Sequence, residues 1–377
     1  MERRSFLTGA AVGVAAGAAG MAAYNASLRN TTAPAVAAPE VVKSTRTMTI
    51  VSTWPRDFPG LGTSAQRFAQ RVVELSNGAI QTEYFAAGER VGAFDAFDEV
   101  SSGNSNAYIG ADYYWTGKHP GFAYFTSVPF GMSTQEWTAW IKFAGGQELW
   151  NELSDEFNQV KLPVGSTGTQ AGGWFNKEME SPEDFKGLKM RMPGLGGQVL
   201  TKMGASAVSL PGGQIYENLV SGAIEATEWV GPYTDYFMKF YEAAEYYYTG
   251  GMHEPGGGLS LGINADWWGS LSDWERAVIT AAAYEEHSNS HDEAMAKNGE
   301  YLQKLVTEQG VQVRAFNADI WDAFGEAAEA VFEETRSHSA MAAKIDDAFQ
   351  SKLREIGGTI AALEGTFINQ RNRILGL

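Results

Sequence analysis

The feature that most constrains this 377-residue chain is a strand–helix–strand rhythm that is set up once, lost, and set up again. Thr47-Met48-Thr49-Ile50 alternates with the two-residue period of a strand. Phe68, Val72 and Leu75 then recur at helical spacing, and Asn77-Gly78 is a helix stop. Ile80, Thr82 and Tyr84 alternate again. Ala93 to Val100 reads as a helix halted by Ser101-Ser102-Gly103, and Ala107 to Ala111 as a short strand. The pattern restarts at Ser181-Pro182-Glu183-Asp184, a helix start with Ser as cap and Pro in the first turn. Leu188, Met190 and Met192 alternate as a strand, so Arg191 points to the face opposite its Met neighbours. Gly194-Leu195-Gly196-Gly197 opens the next helix. Ala207 to Leu210 is a strand, Ile215 to Val220 a helix and Ala223 to Val230 a strand. Two α/β units are expected.

The last third reads as helical. Ser272 to Val306 is amphipathic, and Phe324, Ala328, Val331 and Phe332 begin another stripe. Ile345, Phe349, Leu353 and Ile356 continue it, with a break expected at Gly357-Gly358. That stripe needs a partner, either the chain's own domains or a second subunit.

A 44% hydrophobic, 19% charged composition supplies cores for two domains. The formal charge of −17 argues against nucleic acid and against an anionic membrane surface. So acidic a protein holds an anion only through a local site, one well-placed Arg with or without a bound cation. The absence of cysteine removes disulfides, thiolate nucleophiles and zinc–thiolate sites. Arg3-Arg4-Ser5-Phe6-Leu7, followed by a weakly apolar run from Ala10 to Ala23, is the pattern of a twin-arginine export signal. Residues 1–38 are assigned to signal and linker, with a retained anchor helix as the alternative.

Motifs for catalysis are weak. The Gly194–Gly197 run lacks the third glycine of a dinucleotide fingerprint, because residue 199 is Val, and reads as a tight turn. His287 and His291 stand four apart beside Glu285, Glu286, Asp292 and Glu293, without a His-Glu-x-x-His motif. A solvated acidic helix face is the expectation there. His119, His253 and His338 read as isolated. A stronger constellation lies at element ends next to glycines and prolines: Arg191, Glu228-Trp229, Glu254 and Gln170. The planar guanidinium of Arg191 suits bidentate capture of a carboxylate. Two carboxylates, an amide and a backbone carbonyl would form a hard, all-oxygen cation site, unless the glutamates are simply solvated.

At these residues the chain resembles the solute-binding proteins of TRAP transporters, the DctP family, and is most similar to the branch that binds 2-oxo acids and related monocarboxylates. The matching stretches are Trp54 to Gly62 (WPRDFPGLG), Tyr114 to Pro120 (YWTGKHP), Gly172 to Lys177 (GGWFNK), Phe185 to Gly197 (FKGLKMRMPGLGG), Leu210 to Gly213 (LPGG), Ser221 to Tyr233 (SGAIEATEWVGPY) and His253 to Gly256 (HEPG). Together they span about 200 residues, far more specific than a short motif.

The resemblance implies a two-domain α/β periplasmic binding protein of the Venus-flytrap type, with a long hinge helix and a helical C-terminal tail. Domain I takes residues 46–168 plus 258–296, domain II 169–257 plus 297–340, and the tail 341–377. It further implies that Gln170, Arg191 and Trp229 contact the substrate, and that Glu228, the Trp229 carbonyl, Glu254 and Gln170 hold a cation, sodium or calcium. The implied partners are a small organic carboxylate, the transporter's membrane subunits and a second copy through the C-terminal helix. Met252, where a bulkier aromatic is expected, and Gly256 to Ser260 depart from the pattern and bear on which acid fits. The alternatives are an exported binding protein for a dicarboxylate or sugar acid, and an exported enzyme on the same fold with Glu228 or Glu254 as base.

Overall fold

The computed structural model describes residues 46–376; the twin-arginine pattern and its linker lie outside them. Eleven strands form two sheets among these residues. The first has the order β2-β1-β3-β10-β4, with β1 Arg46–Ser52, β2 Ile80–Phe85, β3 Ala107–Gly110, β4 Gln159–Ser166 and β10 Gly258–Asn264. Strand β1 is parallel to β2 and β3, whereas β10 runs antiparallel to β3 and β4. The second has the order β11-β9-β5-β8-β6-β7, with β5 Gly173–Phe175, β6 Lys189–Arg191, β7 Ser206–Val208, β8 Ala226–Thr227, β9 Tyr246–Thr249 and β11 Gln312–Ala315.

The chain crosses between the sheets after β4, returns between β9 and β10, and leaves again toward β11. The first two crossings, residues 167–172 and 250–257, run side by side. Gln170 N–H donates to the Glu254 carbonyl at 2.9 Å, Gly251 N–H to the Gln170 carbonyl at 2.9 Å and Thr167 N–H to the Gly257 carbonyl at 3.0 Å. Gln170 and Glu254 therefore sit on the two connections between sheets rather than on either sheet.

The third crossing is the helix Asp273–Thr307, 35 residues long and so about 52 Å at 1.5 Å per residue. Ser272 caps it reciprocally with Glu275: Ser272 N–H donates to the Glu275 carboxylate at 2.7 Å, and Ser272 Oγ accepts from Glu275 N–H. It lies across β4 and the helix Leu61–Leu75 and also meets the helix Pro232–Met238. Arg67 pairs with Glu286 at 2.7 Å and Glu293 at 2.8 Å, and Glu293 accepts from the Tyr233 hydroxyl at 3.1 Å.

The expectation of a solvated acidic face around His287 is corrected here. Glu286 and His287 are buried, because this face packs on the first sheet. His287 Nδ1 donates to the Gly165 carbonyl at 2.8 Å and its Nε2 accepts from the Thr138 hydroxyl at 2.9 Å. Burial holds this imidazole down to about 4. Three further sequence expectations change. The strand read over Ala223 to Val230 pairs only at Ala226–Thr227, and Ser181 caps a single 3₁₀ turn, Pro182–Phe185. The break at Gly357-Gly358 is absent: helix continues from Ala340 to Leu375 through two π turns. Its first part buries Ile345 and Phe349, the latter edge-on to Tyr124 and Trp140. Its last part leaves Leu363, Phe367 and Leu375 exposed. Among the described residues no helix is long and apolar enough to cross a membrane.

Candidate anion and cation site

Arg191 is the last residue of β6, and Glu228 is the first residue past β8, its parallel neighbour. Register places Arg191 opposite Thr227, so the two charged side chains emerge together where the ladder ends. The flanking Met190 and Met192 line an apolar pocket with Phe175 and Phe185. The period-2 alternation thus sends sulfur to the core and guanidinium to the cleft.

Arg191 and Glu228 are almost wholly buried, at 1% and 0% exposure. Arg191 Nη1 is paired with the Glu228 carboxylate and also donates to the Glu228 carbonyl at 3.3 Å. Nε donates to the Leu210 carbonyl at 3.2 Å, and the guanidinium carbon lies 5.3 Å from the Trp229 ring centre. Nη2 has no partner among the described residues.

Glu254 and Gln170 approach from the paired crossings. Gln170 Nε2 donates to Glu254 at 2.6 Å and to the Thr167 hydroxyl at 3.1 Å, while its Oε1 has no partner among the described residues. Burial, and next the nearby Glu228 carboxylate, push the Glu254 carboxyl up to about 7. One ligand atom from each of Glu228, His253 and Glu254 lies within 4.8 Å of the others. Trp54, Leu61, Tyr113, Tyr114, Val230 and Leu259 wall the cavity, whose free volume is about 10 Å³.

The arrangement fits a bound cation. Two buried carboxyl groups face one guanidinium, so the cluster holds more oxygen ligands than its one arginine can satisfy. The unpartnered Gln170 Oε1 is a hard oxygen acceptor beside both carboxylates. Arg191 Nη2 is a free donor of the kind an anion fills. Gln170, Arg191, Glu228, Trp229 and Glu254, drawn from four separate chain segments, are brought together. Sequence reasoning missed Tyr113 and Tyr114 on the cleft wall, and it read His253 as isolated. His253 is corrected: its Nε2 lies 3.3 Å from Glu228 Oε2. The only available signal was its place in the stretch His253-Glu254-Pro255-Gly256.

The family model for bacterial extracellular solute-binding protein family 7, DctP, matches residues 50–338. A monocarboxylate 2-oxoacid-binding periplasmic protein of Nostoc sp. is 36% identical over 340 residues, covering 87% of this chain and 93% of that one. The TRAP periplasmic solute-binding protein of Colwellia psychrerythraea, with bound calcium and pyruvate, is similar at a TM-score of 0.84 and 34% identity, covering 86% of this chain and 99% of that one. That of Pseudoalteromonas atlantica, with bound sodium and pyruvate, gives 0.84 and 32% over the same shares.

Proposed function

The chain belongs to the DctP family of bacterial extracellular solute-binding proteins, and we propose that it captures a small 2-oxo or 2-hydroxy monocarboxylate, such as pyruvate or lactate, together with a cation. One observation carries this reading: a single buried cluster leaves one cationic donor, Arg191 Nη2, and one neutral acceptor, Gln170 Oε1, without partners. Arg191 would hold the acid's carboxylate, with Gln170 and Trp229 beside it. Glu228, Glu254, Gln170 and the Trp229 carbonyl would hold sodium or calcium. The cation supplies positive charge against the two glutamates and an anchor for the acid's carboxylate and 2-oxygen. Trp54, Leu61, Val230 and Leu259 exclude water from the ion contacts and strengthen them. One arginine and a small cavity favour one carboxylate on a short chain over a dicarboxylate or sugar acid.

Related proteins are periplasmic binding proteins rather than enzymes. We assign this chain the same place, reached through a twin-arginine signal, with delivery to the membrane subunits of a TRAP transporter. The exposed apolar side chains of Thr366–Leu375 would seat a second copy. Calorimetry with pyruvate in calcium, in sodium and after chelation tests the central claim. Arg191→Ala is expected to lose about 3–5 kcal/mol of binding, the penalty for stranding one member of a buried charge pair. Unchanged affinity in that variant would sink the assignment.

A further inference from the structure

Gly196, within the glycine run at 194–197, and His253 have no role in the reading above, yet they pack against each other. His253 is 3% exposed. A β-carbon at Gly196 would fall 2.5 Å from His253 Cβ, and one at Gly251 would fall 2.7 Å from its ring. Both are closer than β-carbons come, so glycine at the two positions leaves room for the histidine, and at 251 also for the Ala171 carbonyl, which a β-carbon would likewise meet at 2.7 Å. Met192, Met252 and Phe316 line the apolar pocket that His253 also borders, and Nδ1 has no partner among the described residues. The one polar contact of the ring among the described residues is Nε2 to Glu228 Oε2, at 3.3 Å.

A carboxylate already paired with arginine accepts on its other oxygen, so Nε2 is the donor and has no lone pair to offer a metal. Glu228 is then gripped from two sides, by Arg191 on Oε1 and by His253 on Oε2. The first grip is shared once an acid's carboxylate reaches Arg191; the second is not. Resting on the cation reading above, we propose that His253 is a positioning residue. Through Nε2 it fixes the Glu228 carboxylate toward Gln170 and Glu254 whether or not acid is bound, and the glycine at 196 exists to admit it.

The test titrates calcium chloride by calorimetry into chelator-stripped full chain, without acid, for the parent, His253→Leu and His253→Gln. Melting temperatures of the stripped proteins are recorded alongside. His253→Leu is expected to weaken calcium binding by about 10–100-fold, as loss of an outer partner of a metal ligand does. His253→Gln, whose amide nitrogen reaches the place of Nε2, is expected to keep the parental affinity. Should His253→Leu fail to fold, His253→Asn takes its place, since its amide nitrogen stops at the position of Nδ1 and is expected to lose the affinity. Parental calcium affinity in the Leu or Asn variant overturns the inference, as does an equal loss in the Gln variant. A parent that takes up neither calcium nor sodium overturns the cation reading and this inference with it, and that outcome is visible before any variant is made.

Discussion

Beside the first sheet, Lys161 and Asp112 are wholly buried and 3.3 Å apart; beside the second, Arg191 and Glu228 form an equally buried pair. Asp112 Oδ1 accepts from the Tyr108 hydroxyl at 2.7 Å and the Ser260 hydroxyl at 2.6 Å, and its Oδ2 from Trp150 Nε1 at 2.7 Å. Lys161 Nζ also meets the Tyr108 hydroxyl and lies about 5 Å from the Phe97 and Phe122 ring centres. Among the described residues no polar atom of that cluster lacks a partner. The second cluster leaves Arg191 Nη2, Gln170 Oε1, Trp229 Nε1 and His253 Nδ1 without one. A buried polar atom left unpaired costs about 1–3 kcal/mol, so a fold carries several together only where something else satisfies them. The ion pair is therefore not what separates a structural cluster from a binding one. The unused bonding capacity around it is.

The largest test of that contrast breaks the closed cluster. Lys161→Met leaves the Asp112 carboxylate buried without its counterion and is expected to cost about 3–5 kcal/mol of unfolding free energy in urea. The folded fraction should still bind acid. Arg191→Ala strands the buried Glu228 and should lose stability too, but it alone should also lose acid binding. A Lys161→Met protein that unfolds at the parental urea concentration would erase the distinction.

The contrast repeats within one residue type. His287 has both ring nitrogens engaged, and His253 has one. Burial holds His287 down to about 4, below the ordinary imidazole value near 6.5, so between those values the unfolded chain binds more protons than the folded one. Stability from this residue is fully present above pH 6.5 and is lost as pH falls toward 4. Acidification from pH 7.5 to 4.5 should therefore cost about 2–3 kcal/mol more in the parent than in His287→Gln. Equal pH slopes in urea denaturation would show that His287 is not held neutral by its burial.

What the sequence disclosed follows from what is local. Strands β1, β2 and β6 are legible because alternation is a property of neighbours, and the long helix because its amphipathic pattern runs on from Ser272 to Val306. The ladder of β8 ends at Thr227 because Glu228 and Trp229 turn into the cleft, and no propensity within Ala223 to Val230 encodes that. The polar face of the long helix was misread because Arg67, Thr138 and Gly165, which satisfy it, lie far away in the chain. Arg191 was found through its place beside a glycine turn. The joining of Gln170 to Glu254 depends on two crossings pairing with each other across 84 residues, and periodicity carries nothing of that; the family resemblance supplied it.

A ligand reaches a site this buried only if the two sheets part, so some contact must be made on closing and broken on opening. Residues just before the helix Leu61–Leu75 make one. The Phe58 ring meets Trp229 edge-on with centroids 6.0 Å apart, and Gly60, at φ 81°, approaches the helix Pro232–Met238. A β-carbon at Gly60 would lie 2.9 Å from Thr234 Cγ2 and 3.6 Å from the Tyr233 ring. Gly60→Ala therefore carries two costs. The left-handed backbone penalises alanine whether the sheets are apart or together, which lowers stability without changing affinity. The clash with Thr234 exists only when they are together, and overpacking of this kind should weaken acid binding about tenfold. Thr234→Ser deletes Cγ2 and keeps the hydroxyl that donates to the Gly231 carbonyl at 3.3 Å. The double variant should thus regain parental affinity in calorimetry while its melting temperature stays depressed. If affinity stays low in the double variant, the loss comes from backbone strain around Leu61 in the cavity wall, and the Gly60–Thr234 contact does not gate closure.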